Sequence, residues 1–171
     1  MQKNIKLTDM KKTILTLMLC LSCLAAGATQ QINDKVTVNG EVWEMTASPL
    51  EYLQPQLSDA FRALLGERNF INTSNYRGYI AFWYVRRGCL YLDRIEVPQQ
   101  SGEYRTLDIK DLKKTFRKYR RFGKIRAGWL TGDINVGNGI GQSDPTAPFA
   151  PSFAKNRVWT LKKGRIVKIS E

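Results

Sequence analysis

Gly78-Tyr79-Ile80-Ala81-Phe82-Trp83-Tyr84-Val85, followed by Arg86-Arg87-Gly88 and then by Cys89 to Val97, is the stretch on which the fold turns. Both runs are apolar on both alternating faces, which is the pattern of strands covered on both sides, so this pair is expected at the centre of a sheet. The intervening Arg-Arg-Gly suits a type I turn closed by a G1 bulge. Pro98 ends the ladder, and Gln99 to Glu103 reads as loop.

Working outward toward the amino terminus, Lys35-Val36-Thr37-Val38, Asn39-Gly40 and Glu41-Val42-Trp43-Glu44-Met45 form the strongest hairpin signal in the chain. Asn-Gly supplies the positive φ that a type I′ turn demands at both central positions. Pro49 starts a short helix through Leu50 and Leu53, which Pro55 disrupts. A second helical piece runs from Ser58, its expected cap, to Leu65, with Gly66 as the stop.

Toward the carboxyl terminus, Asp108 caps one long amphipathic helix. Ile109, Leu112, Phe116 and Tyr119 form its apolar stripe, and Phe122-Gly123 ends it. Lys124–Leu130 and Asp133–Val136 are predicted to pair across Thr131-Gly132, and Val158–Leu161 with Arg165–Ile169 across Lys162-Lys163-Gly164. Residues 137–151 form a loop rich in Gly, Pro, Asn and Ser. The sum is an α+β fold: a mostly antiparallel sheet of about seven or eight short strands built from hairpins, one long helix packed on it and a shorter N-terminal helical segment.

The amino terminus reads as an address. Lys11-Lys12, an apolar run from Ile14 to Ala26 interrupted by Thr16, Cys20, Ser22 and Cys23, and the site Ala26-Gly27-Ala28 have the parts of a secretory signal, with Met10 as the better start. The run is shorter than the roughly 20 apolar residues that span a bilayer. Residues 1–28 are therefore set apart from a single domain over 29–171, expected in the periplasm or secreted. A lipid anchor on Cys20 or Cys23 is the rival reading. Cys23 has Cys20 rather than Leu at the third position back, however, and Cys20 follows a bulky Leu19. Cleavage leaves Cys89 alone, with no disulfide partner, and its strand pattern marks it as a small buried hydrophobe.

The chain has 171 residues, 27 Lys plus Arg against 15 Asp plus Glu, and no His. The missing histidine removes Ser-His and Cys-His nucleophile pairs and His-ligated zinc. Paired carboxylates remain on paper in Asp93 with Glu96 and Glu44 with Glu51, but strict alternation sends Asp93 and Glu96 to opposite faces. Gly137-Asn138-Gly139-Ile140-Gly141 lacks the helix that a phosphate loop requires, since Pro145 and Pro148 follow it. The expectation is a protein that is not an enzyme and needs no cofactor or metal.

Binding is better supplied. From Lys113 to Arg126 eight residues are basic and none is acidic. Like charge at that density costs self-repulsion, so an anionic partner is expected, with Lys113, Lys114, Arg117, Lys118, Arg120, Arg121 and Lys124 as the contact face. Tyr76, Arg77, Tyr79, Trp83 and Trp129 are candidate anchors. Core packing serves the tryptophans equally well, and Arg77 equally suits a structural role at loop carbonyls. Export demotes nucleic acid as the partner. An acidic protein and an anionic membrane or cell-wall surface remain, the free protein being expected as a monomer.

Several phrases resemble a family of small, mostly uncharacterised bacterial proteins, some of them presumed immunity proteins of polymorphic toxins. They are Ser48-Pro49-Leu50-Glu51-Tyr52, Arg77-Gly78-Tyr79-Ile80-Ala81 with Trp83, Gly88-Cys89-Leu90-Tyr91-Leu92 and Ala127-Gly128-Trp129-Leu130-Thr131-Gly132-Asp133-Ile134. The resemblance implies an inhibitor that occludes an acidic effector or toxin. The alternative is an envelope protein that docks on anionic lipid or cell-wall polymer through its basic helix. The export signal, the cationic helix and the Gly139–Pro151 segment set this chain apart from that family.

Overall fold

Four of the hairpins close through two-residue turns. The structure, a computed structural model, describes residues 31–66, 74–141 and 152–171; the expected signal segment and residues 142–151 of the predicted loop lie outside the described residues. Asn39, Arg87, Phe122 and Lys163 have φ of 52°, 50°, 50° and 49°, and each precedes a glycine at 86°, 67°, 74° and 72°. Two successive positive φ values give the type I′ turn, whose twist matches that of the strands it joins. These turns connect β1 (Asp34–Val38) to β2 (Glu41–Met45), β3 (Ile80–Arg86) to β4 (Cys89–Pro98), β6 (Arg120–Arg121) to β7 (Lys124–Arg126) and β9 (Lys155–Lys162) to β10 (Arg165–Ser170). Arg86 pairs directly with Cys89, so the central turn has two residues and not the expected type I turn with a G1 bulge.

The architecture is α+β, and the sheet closes on itself. Strands follow the order β10-β9-β8-β2-β1-β3-β4, with β8 at Gly132–Asn138, and Arg165 of β10 returns to pair with Cys89 of β4. This makes a seven-stranded barrel, which removes the open edges that hairpins alone would leave. Neighbours are antiparallel except β1 and β3, which run parallel with Val36 opposite Trp83. The outer edge of β4 is shared: Cys89 meets β10, Tyr91 and Leu92 meet β7, and Glu96 to Pro98 meet β5 (Tyr104–Thr106).

The predicted hairpin across Thr131-Gly132 does not form. β7 pairs with β4 and β6, whereas β8 pairs with β2 and β9. Between them the Ala127 N–H donates to the Leu90 carbonyl, and the Leu130 carbonyl accepts from the Gly164 N–H at 2.8 Å. The chain thus crosses from one neighbour to another instead of turning back.

β3 lies inside the sheet as its sequence implies, but its two faces are covered differently. Ala81 and Trp83 join Val36, Met45, Leu90, Leu92 and Trp159 in the buried core. On the outer face the Arg94 guanidinium lies 3.6 Å from the Phe82 ring centroid and the Lys124 ammonium 5.2 Å from that of Tyr84. Long cationic side chains, not a second layer of structure, cover these rings. A register shift pairs Phe82 with Arg94 but Trp83 with Leu92, leaving Asp93 as the extra residue of a bulge. Arg94 consequently binds both Asp93 (3.1 Å) and Glu96 (2.8 Å), which uniform alternation would have separated.

The helices depart most from expectation. Pro49–Tyr52 is a 3-10 turn. Pro55 begins α1 (Pro55–Leu65) instead of breaking a helix, because the first helical position needs no N–H donor. The long cationic helix is only α2, Ile109–Thr115, whose Asp108 cap accepts from the Lys110 N–H at 2.6 Å as anticipated. A 3-10 turn at Arg117–Tyr119 follows, and then β6. Cations three and four positions apart disfavour further helix, while Phe122-Gly123 supplies a hairpin turn. Leu112 and Phe116 are buried, but Ile109, expected in the same stripe, is exposed. Phe61 of α1 meets Phe116 (6.0 Å) and Tyr79 (5.3 Å), and Trp129 joins Phe116 (5.4 Å) to Trp83 (6.2 Å), so helices and barrel share one core.

Candidate functional site

The cations predicted to share one helical face lie on three successive elements. Lys113 and Lys114 are on α2, Arg117 and Lys118 on the 3-10 turn, Arg120 and Arg121 on β6, and Lys124 on β7. All are exposed except the half-buried Lys113. The ion pairs among the described residues are Lys35–Glu44, Arg77–Asp34, Arg94–Asp93, Arg94–Glu96 and Arg157–Glu171, so no described carboxylate forms an ion pair with any of these seven.

Tertiary structure regroups part of this charge. Because β7 pairs with β4 through Tyr91 and Leu92, the β6–β7 turn comes to lie beside the β3–β4 turn. Between them is a groove of about 250 Å³ lined by Arg86, Arg87, Tyr91, Arg121, Phe122 and Lys124. Tyr84 and Tyr91 stack beneath it at 5.5 Å with an interplanar angle of 17°, and the Lys124 ammonium lies over Tyr84. Phe122, at the turn tip, is 97% exposed. The groove has four cations, two aromatic rings and no carboxylate in its lining.

Arg86, Arg87, Tyr91 and Phe122 are not among the contact residues expected from the sequence. In the sequence Phe122-Gly123 reads as a helix stop and Arg86-Arg87 as part of a turn. The available signal was a bulky residue before glycine, with Arg120-Arg121 on one side and Lys124-Ile125-Arg126 on the other, which also describes a hairpin.

Tyr76 and Arg77 occupy a different place. Asp34, wholly buried, accepts hydrogen bonds from the Ala81 N–H (3.2 Å), the Ser48 hydroxyl (3.0 Å) and the Trp83 indole (3.3 Å). Its Oδ1 lies 3.3 Å from Arg77 Nη1. Arg77 also donates to the Ile32 carbonyl at 2.6 Å, and the hydroxyls of Ser48 and Tyr79 lie 3.0 Å apart. Burial raises the Asp34 carboxyl above its ordinary range, and Arg77 with the three hydrogen bonds pulls it part of the way back. Burial and the Asp34 charge together raise the Tyr79 hydroxyl, which stays protonated. Arg77 is thus committed to the fold.

Of the other candidate anchors, Trp83 and Tyr79 are buried. Trp129 is tied by its indole N–H to the Pro49 carbonyl at 2.8 Å. Tyr76 is 70% exposed. Cys89 is buried and unpaired, and no cluster of Cys, Asp and Glu able to hold a metal occurs among the described residues.

No family model, curated protein or solved structure matches this chain.

Proposed function

We propose that this chain is a non-catalytic binding protein that occludes an acidic site on a partner protein, in the manner of an exported, immunity-like inhibitor. The supporting observation is the groove in which Arg86, Arg87, Arg121 and Lys124 converge without a carboxylate. Arginine forks recognise carboxylates bidentately, and a field of one sign speeds encounter with the opposite one. Phe122 and Tyr91 add the aromatic surface that supplies most interface energy when a partner buries it. The remaining cations of residues 113–120 extend the steering field around the groove.

A second reading, docking on an anionic lipid surface, draws on Phe122. A fully exposed ring on a hairpin tip among cations also suits insertion at the headgroup level.

Binding of a synthetic Asp- and Glu-rich peptide, set beside binding to phosphatidylglycerol vesicles, tests the two. The inhibitor reading expects saturable one-to-one peptide binding, weakened about tenfold or more when Arg86, Arg87, Arg121 and Lys124 are all replaced by Gln. Vesicle binding lost with Phe122→Ala, in the absence of peptide binding, would support the surface reading instead. Peptide affinity unchanged by the four replacements rejects the groove as the contact.

A further inference from the structure

A second cleft carries the opposite chemistry. It has a volume of about 700 Å³ and lies between the start of β1, the corner at residues 46–52, the turn bearing Tyr76 and the first half of β8. Its floor is already satisfied: Ser48 and Arg77 are bound to Asp34, and Arg77 also to the Ile32 carbonyl. The Gln31 side chain accepts from the Tyr76 N–H at 3.0 Å, which orders the turn that presents Tyr76.

The rim is not satisfied. Tyr52 and Tyr76 are 56% and 70% exposed. Among the described residues, the side chains of Glu51, Asp133 and Asn135 and the two phenol hydroxyls make no hydrogen bond or ion pair. The protein carries a net charge of +12, yet the uncommitted charges of this cleft are both carboxylates.

We infer that this cleft binds an uncharged oligosaccharide. A pyranose offers an apolar C–H face and a ring of hydroxyls, each both donor and acceptor. Tyrosine rings cover the first, and carboxylates, an amide and phenols engage the second. The volume is that of a site for a ligand of several rings, which a lone ammonium group would not fill. Two carboxylates disfavour uronic acids and every other anionic ligand, so this site and the cationic groove select different molecules. The inference is independent of the proposed inhibitor role.

Calorimetric titration of the full chain with cellohexaose, chitohexaose and maltohexaose tests it, with hexagalacturonate as the anionic control and a Lys-rich peptide as the cationic one. At least one neutral hexasaccharide is expected to bind saturably and to depend on Tyr52 and Tyr76, whereas hexagalacturonate, whose carboxylates suit the cationic groove, is expected to show no such dependence. Tyr52→Ala and Tyr76→Ala, which alter exposed side chains, should each weaken binding about tenfold, and Asn135→Ala should weaken it as well, with thermal unfolding confirming that each variant is folded. Lys168→Gln, at an exposed position of β10 outside both clefts, should leave it unchanged. Absence of saturable binding by all three neutral sugars overturns the inference. So does binding indifferent to the Tyr52→Ala/Tyr76→Ala double variant, or tyrosine-dependent binding of the Lys-rich peptide alone.

Discussion

Arg77 Nη1 lies 3.3 Å from Oδ1 of Asp34, a carboxylate with no exposure to solvent, and this pair joins the start of β1 to the turn that precedes β3. Two segments far apart in sequence are thereby fixed at the point where the barrel makes its parallel pairing. The same contact orders the wall between the polar cleft and the core.

Removing one member of such a pair leaves the other buried and uncompensated. Asp34→Ala should cost about 3–5 kcal/mol in urea-induced unfolding. Adding Arg77→Met to Asp34→Ala should restore part of that loss, since the stranded guanidinium is then gone. Strictly additive costs in this double-mutant cycle would show that the pair is not coupled.

Gly164 backs onto the segment that crosses between β7 and β8. A Cβ there would sit 2.7 Å from the Ala127 carbonyl carbon, at φ +72°, whereas a Cβ on Gly40, at φ +86°, meets nothing within 4 Å. Gly40→Ala therefore measures the backbone cost alone, about 1–2 kcal/mol. Gly164→Ala should add a further penalty of about 1–3 kcal/mol for displacing the crossing segment. Equal losses in thermal unfolding would remove the steric argument.

Acid should act through Glu44 and Asp34 in opposite directions. Burial raises the Glu44 carboxyl, but hydrogen bonds from Lys35 and Asn33 outweigh it and hold the group below its ordinary 4.5. Its stabilisation is therefore present above that value and lost as pH falls through the folded one. Asp34 is raised above its ordinary 3.8, so its contribution is largest below that value and declines as pH rises through the folded one. Glu44→Gln should lower the melting temperature at neutral pH and converge with the parent protein on acidification. A difference that persists unchanged at low pH would exclude the ion pair as its source.

Much of the fold was legible because its signals are local. The Asn39-Gly40 turn, the Asp108 cap and the apolar run from Tyr79 to Val85 each express a rule acting over a few residues, and the structure has each in place. Residues 117–122 misled for the same reason. Apolar residues three and four apart suit a helix as an isolated pattern, but Arg120 and Arg121 find hydrogen-bond partners in β7, which itself lies on β4. A pairing between distant segments leaves no periodicity of its own to be read.

The same division runs through the candidate sites. The amino-acid sequence by itself determined that the protein is strongly basic, free of histidine and rich in unopposed cations near residue 120, because composition and charge runs need no geometry. Only the tertiary structure decided which of those cations meet. β4 carries β7 along its edge, bringing Arg121, Phe122 and Lys124 beside Arg86 and Arg87, while the pairings of β2 with β8 and of β1 with β3 bring Tyr52, Tyr76 and Asp133 around a cleft of the opposite character. The physical reason is that a site depends on distances between side chains, and strand register and closure set those distances.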